Sequence, residues 1–213
     1  MTNNLIIFIK YPEPGQVKTR IGRIIGIDKA ADLYSSLANH VVSKLTDTNS
    51  YKISVFFTPE EKEEKIKNWF NNKGIYYFSQ LGVSLGERIS NAFDESFLNG
   101  FKNTIIIGSD CIEIDEKIIT GAFNHLNNGS DCVIGPTYDG GYYLIGLKSR
   151  NYPHIFEDIE WSSDSVFDET VKKVNYLNLK SIILERLNDV DDIDDVNEDV
   201  LKLVKNYYPN FEV

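Results

Sequence analysis

Short, continuously apolar runs alternate with stretches whose apolar residues recur every three or four positions, from the start of the chain almost to its end. Residues 5–9 (Leu-Ile-Ile-Phe-Ile) are apolar throughout, as expected of a central strand covered on both faces. Ala30, Tyr34, Leu37, Ala38, Val41 and Leu45 then fall on one face of a helix, with Asp28 placed to cap it. Residues 53–57 predict the next strand. Residues 61–67 predict an exposed helix whose Glu61–Lys65 and Glu63–Lys67 spacings favour ion pairing.

A strand over 75–78 precedes Ser84 and Glu87, which stand three apart as in a capping box and start a helix with Leu85, Ile89, Ala92, Phe93 and Phe97 on its inner face. Gly100 stops that helix before a strand over 104–107. Asp115 caps a helix running to Leu126, a strand follows over 132–134, and Asp139-Gly140-Gly141 turns the chain into another over 142–147. Ser163 is the expected cap of a helix over 166–174. A last strand over 181–184 and a helix over 193–207 complete the series. This alternation predicts the α/β class, with a mostly parallel sheet between helices. No Pro- or Gly-rich linker divides it, so residues 1–213 are expected to form one domain.

With 42% apolar and 25% charged residues among 213, the composition is that of a soluble domain able to bury a core. Lys and Arg number 22 against 32 Asp and Glu, and the net charge of −10 disfavours nucleic acid and anionic membrane surfaces as partners. The apolar runs fall far short of the roughly 20 residues that cross a bilayer, so no membrane span is expected. Met1-Thr2-Asn3-Asn4 carries no basic segment, and a cytoplasmic location is the expectation. Cys111 and Cys132 lack metal-ligand spacing and read as reduced thiols. The 12 Tyr and 12 Phe suit either a core or a subunit interface, which leaves the oligomeric state open.

In an open α/β sheet, ligands bind beyond the carboxyl ends of the strands, which directs attention to the segments that follow them. Residues 10–23 carry Lys10, Lys18, Arg20 and Arg23 against Glu13 alone, a local charge of +3 in a chain that is −13 elsewhere. Pro12, Pro14 and Gly15 stiffen this segment, and its cations suit phosphate oxygens, although a solvated basic loop would look the same. It does not match the phosphate-binding Gly-x-x-x-x-Gly-Lys-Ser/Thr pattern.

Asp110 directly follows an apolar strand, where it suits a hard divalent cation or a local turn equally well. Asp139 fits a second metal or acceptor-orienting carboxylate, or plain turn formation. Residues 185–199 hold eight acids against Arg186. They read as a solvated helix start, from which Asp189 or Asp191 can still reach a metal. Arg88, beside Glu87, stands at a helix start where it can face a ligand, and Trp161-Ser162 either lines an acceptor pocket or packs the core. His40, His125 and His154 are scattered, and no nucleophilic triad is visible.

Six blocks occur together in order. They are Phe8-Ile9-Lys10-Tyr11-Pro12-x-Pro14-Gly15-x-Val17-Lys18-Thr19-Arg20, Leu85-Gly86-Glu87-Arg88, Ile107-Gly108-Ser109-Asp110-Cys111, Gly135-Pro136-x-x-Asp139-Gly140-Gly141-Tyr142-Tyr143, Trp161-Ser162 and Asp189-Val190-Asp191. In this the chain resembles the GT-A-like glycosyltransferase family, some members of which are labelled arsenosugar-biosynthesis glycosyltransferases. More distantly it resembles the phospholactate and molybdenum-cofactor guanylyltransferases.

The resemblance implies a three-layer α/β/α, Rossmann-like nucleotide-diphospho-sugar transferase fold. It also implies phosphate contacts at Lys18 and Arg20 and a divalent cation at Asp110. Ile112 stands where the family usually has Pro, and no Asp-x-Asp pair surrounds Asp110. A second carboxylate must therefore come from Asp139, Asp189 or Asp191.

The expected site comprises Lys18, Asp110 and Asp139 for catalysis and Lys10, Gly15, Lys18, Thr19, Arg20 and Arg88 for the nucleotide. Asp110, Asp139 and Asp191 are the expected ligands of Mg²⁺ or Mn²⁺. The expected reaction is glycosyl transfer from a nucleotide sugar to a small acceptor. Nucleotidyl transfer from a nucleoside triphosphate and non-catalytic nucleotide binding are the alternatives.

Overall fold

The computed structural model describes residues 2–46, 48–71, 74–150, 152–161 and 163–213. The apolar run predicted at 5–9 lies within β1 (Asn3–Lys10), which sits inside a seven-stranded sheet. The other strands are β2 (Lys52–Thr58), β3 (Ile75–Ser79), β4 (Asn103–Ile107), β5 (Cys132–Pro136), β6 (Tyr142–Lys148) and β7 (Ser181–Ile183). They are ordered β3-β2-β1-β4-β6-β5-β7. Among the described residues only β6 runs antiparallel, against β4 on one side and β5 on the other. The carboxyl ends of the six parallel strands and the β5–β6 turn therefore share one edge.

Period-two alternation sends neighbouring β1 residues to opposite faces. Leu5, Ile7 and Ile9 join one core cluster with Ala38 and Val41 of α2 (Ile27–Leu45), Ile66 of α3 (Glu63–Phe70) and Phe123 of α5 (Glu116–Asn127). Ile6 joins the other, with Ile89 and Phe93 of α4 (Leu85–Leu98) and Val174 of α6 (Val166–Tyr176). The result is the expected three-layer arrangement. A third cluster lies off the sheet edge, where Ile21 of α1 (Thr19–Ile25), Leu33 and Leu37 pack on Val190 and on Val200 and Val204 of α7 (Glu198–Tyr207). It anchors both the basic segment and the acidic one. Among the described residues no helix is long and apolar enough to cross a membrane.

Several local expectations are corrected. The segment read as a basic loop contains α1, so Thr19, Arg20 and Arg23 are helical. Asp28 does not cap α2; Gly26 precedes that helix and Asp28 lies in its first turn, where its charge still suits the dipole. A 3-10 turn, Glu60–Lys62, precedes α3. The Glu63–Lys67 pair forms at 2.6 Å, while Lys65 lies over the Tyr11 ring. Ser84 accepts from the Glu87 N–H, but the Glu87 carboxylate takes the Val83 N–H rather than closing the box on Ser84. Ser165, not Ser163, precedes α6. The helix expected over 193–207 is broken into a 3-10 turn, Ile193–Asp195, and α7, because Asn197 accepts from Asp199 and Val200 and begins a new helix there. Asp115 caps α5 through the Ile118 N–H, as expected.

Cys111 and Cys132 are both buried and free, and burial pushes each thiol up to about 12, which keeps them unreactive.

Candidate active site

At the carboxyl edge, the segments after β1 and β4 face one another across a crevice of about 410 Å³. Lys10, Lys18, Thr19, Arg20 and Arg88 line it together with Asp110 and Asp191, so four cations face two carboxylates. Gly15 lies outside the lining; its φ of +77° turns the chain against the Ile27 side chain. Arg23, in the last turn of α1, is likewise outside. Glu13, the one acid of the basic segment, pairs with Lys62 at 3.2 Å rather than with a cation of its own segment.

Lys18 occupies the centre. Its backbone is left-handed (φ 44°, ψ 48°), a conformation that costs a non-glycine residue about 1 kcal/mol or more, and it immediately precedes α1. Its Nζ lies 2.7 Å from Asp110 Oδ2 and 2.6 Å from Asp191 Oδ1, and the side chain is only 6% exposed. Burial alone would push the ammonium down. Asp110 and Asp191 outweigh it and hold Lys18 well above the ordinary lysine range. Burial likewise opposes ionisation of Asp191, but Lys18 and then Arg20 keep it below the usual carboxylate range.

Tyr34 fixes the two lips of the crevice. Its hydroxyl accepts the Lys10 N–H at 2.9 Å and lies 2.9 Å from the Ser109 Oγ, so α2 ties the end of β1 to the end of β4. Sequence reading placed Tyr34 on an apolar helical stripe and missed this role. The available signal was the hydroxyl itself, since a buried tyrosine needs a partner for it. Gln80 was also missed: its amide donates to the Phe56 carbonyl at 2.8 Å, and it lines the crevice just beyond β3.

The acidic residues gather next to this ion pair. One oxygen each from Asp139, Asp189 and Asp191 lies within 4.8 Å of the others. Asp139 belongs to the β5–β6 turn, where its Oδ1 accepts from the Thr137 hydroxyl and the Gly141 N–H. Gly140 makes that turn possible: its φ is +92°, and a Cβ there would lie 2.0 Å from the Asp164 carbonyl oxygen.

Asp189 and Asp191 flank Val190, which is 3% exposed in the off-edge cluster, and the Val190 N–H donates to the Asp110 carbonyl at 3.2 Å. Asp195 Oδ2 accepts from the Asp191 and Asp192 N–H groups and holds the segment in place. Burial, then the charges of Asp110, Asp139 and Asp191, push the Asp189 carboxyl up to about 7. Of the three expected metal ligands, the structure thus brings Asp139 and Asp191 together with Asp189. Asp110 stands outside that group, engaged with Lys18.

A second cavity of about 300 Å³ adjoins the crevice and shares Phe8, Leu85 and Gly108 with it. Tyr142, Ile145, Trp161 and Val166 line it, with Asp139 and Asp189 at one side. Trp161 meets Tyr142 edge to face, with ring centroids 6.4 Å apart. Ser162 lies outside the described residues.

Comparison with known proteins agrees with the architecture. The chain is similar to a structure from Desulfovibrio desulfuricans G20 described as a candidate nucleotide-diphospho-sugar transferase, at 30% identity over 97% of this chain and 98% of that one, with a TM-score of 0.85. It shares its fold with a cytidylyltransferase from Leptospira borgpetersenii serovar Hardjo-bovis (14% identity, 100% and 99% coverage, TM-score 0.55). It also shares it with a 4-diphosphocytidyl-2C-methyl-D-erythritol synthase (12% identity, 95% and 98% coverage, TM-score 0.59). No curated protein matches. The fold is therefore the nucleotide-diphospho-sugar transferase α/β fold expected from the sequence. Residues 41–163 match the family described as "Uncharacterized protein conserved in bacteria (DUF2064)", and the chain belongs to that family.

Proposed function

We propose that this chain transfers a group from a nucleotide-activated donor, and that the group is a sugar carried by a nucleoside diphosphate. The observation that supports the reading best is the meeting of Lys18 with Asp110 and Asp191: cations after β1 and carboxylates after β4 and β7 share one crevice. A diphosphate needs such cations, and its counter-ion needs such acids. The D. desulfuricans relative, with its description as a nucleotide-diphospho-sugar transferase, supports the same reading.

In this proposal Lys10, Arg20 and Arg88 hold the phosphates from the rim of the crevice. Lys18, preorganised by its two carboxylates, faces the charge that develops on the departing diphosphate and stabilises it electrostatically. Asp139, Asp189 and Asp191 offer an all-oxygen donor set that fits Mg²⁺ or Mn²⁺. A cation bound there supplies further neutralisation of the leaving group. Asp139, on the β5–β6 turn that lines the adjoining cavity, orients the acceptor. Gly15 and Asp110 act indirectly, Gly15 by shaping the basic segment and Asp110 by holding Lys18.

One observation favours a second reading, nucleotidyl transfer from a nucleoside triphosphate. The segment after β4, Asp110-Cys111-Ile112, holds no Asp-x-Asp pair, and the carboxylates come from the segments after β5 and β7. Incubation of the purified protein with Mg²⁺ or Mn²⁺ and either nucleotide sugars or nucleoside triphosphates separates the two. Release of nucleoside diphosphate is the expected result; release of pyrophosphate supports the second reading; saturable binding with neither product overturns both.

A further inference from the structure

The two cavities at the carboxyl edge differ in chemistry. The larger crevice holds the cations Lys10, Lys18, Arg20 and Arg88, whereas among the described residues no Lys, Arg or His lines the adjoining 300 Å³ cavity. Its charged groups are Asp139 and Asp189, both carboxylates, and its walls are largely Phe8, Ile89, Ile145, Tyr142 and Trp161. The volume is at the small end of ligand sites, which run from roughly 300 to 1,000 Å³.

We infer that this cavity receives an uncharged acceptor, a small alcohol with an apolar or ring-sized body, and excludes phosphorylated and carboxylated acceptors. The inference rests on the transferase reading and assigns its second substrate class. Apolar walls remove water from the body of the ligand, while an anion entering would lose its hydration and meet the Asp139 carboxylate, joined by Asp189 once it ionises, at close range. A divalent cation among Asp139, Asp189 and Asp191 does not reverse this, because the cation and Lys18, which pairs with Asp191 and Asp110, bring three positive charges against those four carboxylates. In the transfer step, the acceptor's hydroxyl oxygen forms its bond to the sugar's anomeric carbon as the bond from that carbon to the diphosphate oxygen breaks. The hydroxyl proton passes to solvent, and the bonding pair leaves with the nucleoside diphosphate.

Trp161 provides a local reporter. The chain has two tryptophans, and Trp69 packs beside Phe70 in the core on the opposite face of the sheet, so Trp69→Phe isolates the Trp161 signal. Titration of that variant with benzyl alcohol and with benzyl phosphate compares one ring with and without the charge. The expected result is a saturable change in Trp161 emission with benzyl alcohol and at least tenfold weaker binding of benzyl phosphate. Adding Asp139→Asn is expected to narrow that gap severalfold, by strengthening benzyl phosphate relative to benzyl alcohol. Equal or tighter binding of benzyl phosphate, or benzyl alcohol without effect on Trp161, overturns the assignment. Nucleoside diphosphate release is scored separately. Its absence with every nucleotide sugar refutes the glycosyl-transfer reading without touching the preference of the cavity, and a failed preference leaves donor turnover standing.

Discussion

Lys18 and Asp191 stand 173 positions apart in the chain and meet in an ion pair of 2.6 Å. Through that contact, and the matching one to Asp110, the opening basic segment and the late acidic segment close on a single point of the sheet edge. The ammonium is nearly inaccessible, while Asp110 and Asp191 are 29% and 40% exposed, so the three do not form a fully dry cluster.

Removing the ammonium leaves two neighbouring carboxylates without their counter-charge. Breaking a buried pair costs about 3–5 kcal/mol, and hydration of the two acids reduces this to about 1–3 kcal/mol for Lys18→Ala. Urea denaturation is expected to show that loss, and millimolar Mg²⁺ to recover part of it. Donor affinity in the same variant is expected to fall about tenfold or more, the equivalent of one charged phosphate contact. Unchanged donor affinity would place the phosphates elsewhere.

The Asp189 carboxyl, raised to about 7, makes stability depend on pH. The folded chain keeps that proton up to about pH 7, whereas the unfolded chain gives it up near pH 4. Between those values the folded state binds more protons, so raising the pH lowers stability. Melting curves of metal-free protein are expected to fall from pH 4.5 to 7.5 through this group, and Asp189→Asn to flatten the slope. Divalent cation is expected to stabilise more at pH 8 than at pH 5.

Asp110 and Asp139 differ in their surroundings and are expected to differ in their response. Asp139→Asn and Asp191→Asn remove charge from the three-carboxylate group, and Mn²⁺ titration is expected to show at least tenfold weaker binding. Asp110→Asn weakens the hold on Lys18 and is expected to change Mn²⁺ affinity less than threefold while still impairing donor turnover. Equal losses in all three would merge the ion pair and the metal group into one site.

Gly140 tests how far the site depends on its turn. Its φ of +92° and the 2.0 Å approach of a built Cβ to the Asp164 carbonyl leave no room for a side chain. Gly140→Ala is expected to cost about 2 kcal/mol or more, from strain and clash together. It is also expected to displace Asp139, read as weaker Mn²⁺ binding in protein that remains folded.

The strands and the covered helices were legible because burial on a sheet leaves unbroken apolar runs and burial of a helix leaves a stripe, as in residues 5–9 and Ala30 to Leu45. Helix α1 was not, since it has seven residues, contains Gly22 and starts without a side-chain cap. The break at Asn197 was hidden for a related reason: an Asn cap inside an acidic run looks like one more polar position. At the site, Lys10, Lys18, Thr19, Arg20, Asp110 and Asp191 were drawn together by the rule that ligands sit at strand ends, and Arg88 was added for its place at a helix start. The pairing of Lys18 with two acids was not readable, because it depends on contacts across 92 and 173 residues. The grouping of Asp139 with Asp189 follows from β7 lying parallel beside β5, with Thr137 bridged to Leu187, a matter of topology rather than of local pattern.

The Tyr34 hydroxyl, joined to the Lys10 N–H and to Ser109, has a consequence in time as well as in space. With helix and both strand tips fastened at one atom, the mouth has little freedom to breathe on its own. The Lys10 amide should consequently exchange its hydrogen for deuterium as slowly as the sheet interior. Entry of a nucleotide would then be paced by diffusion and dehydration, with the opening already set at its working width.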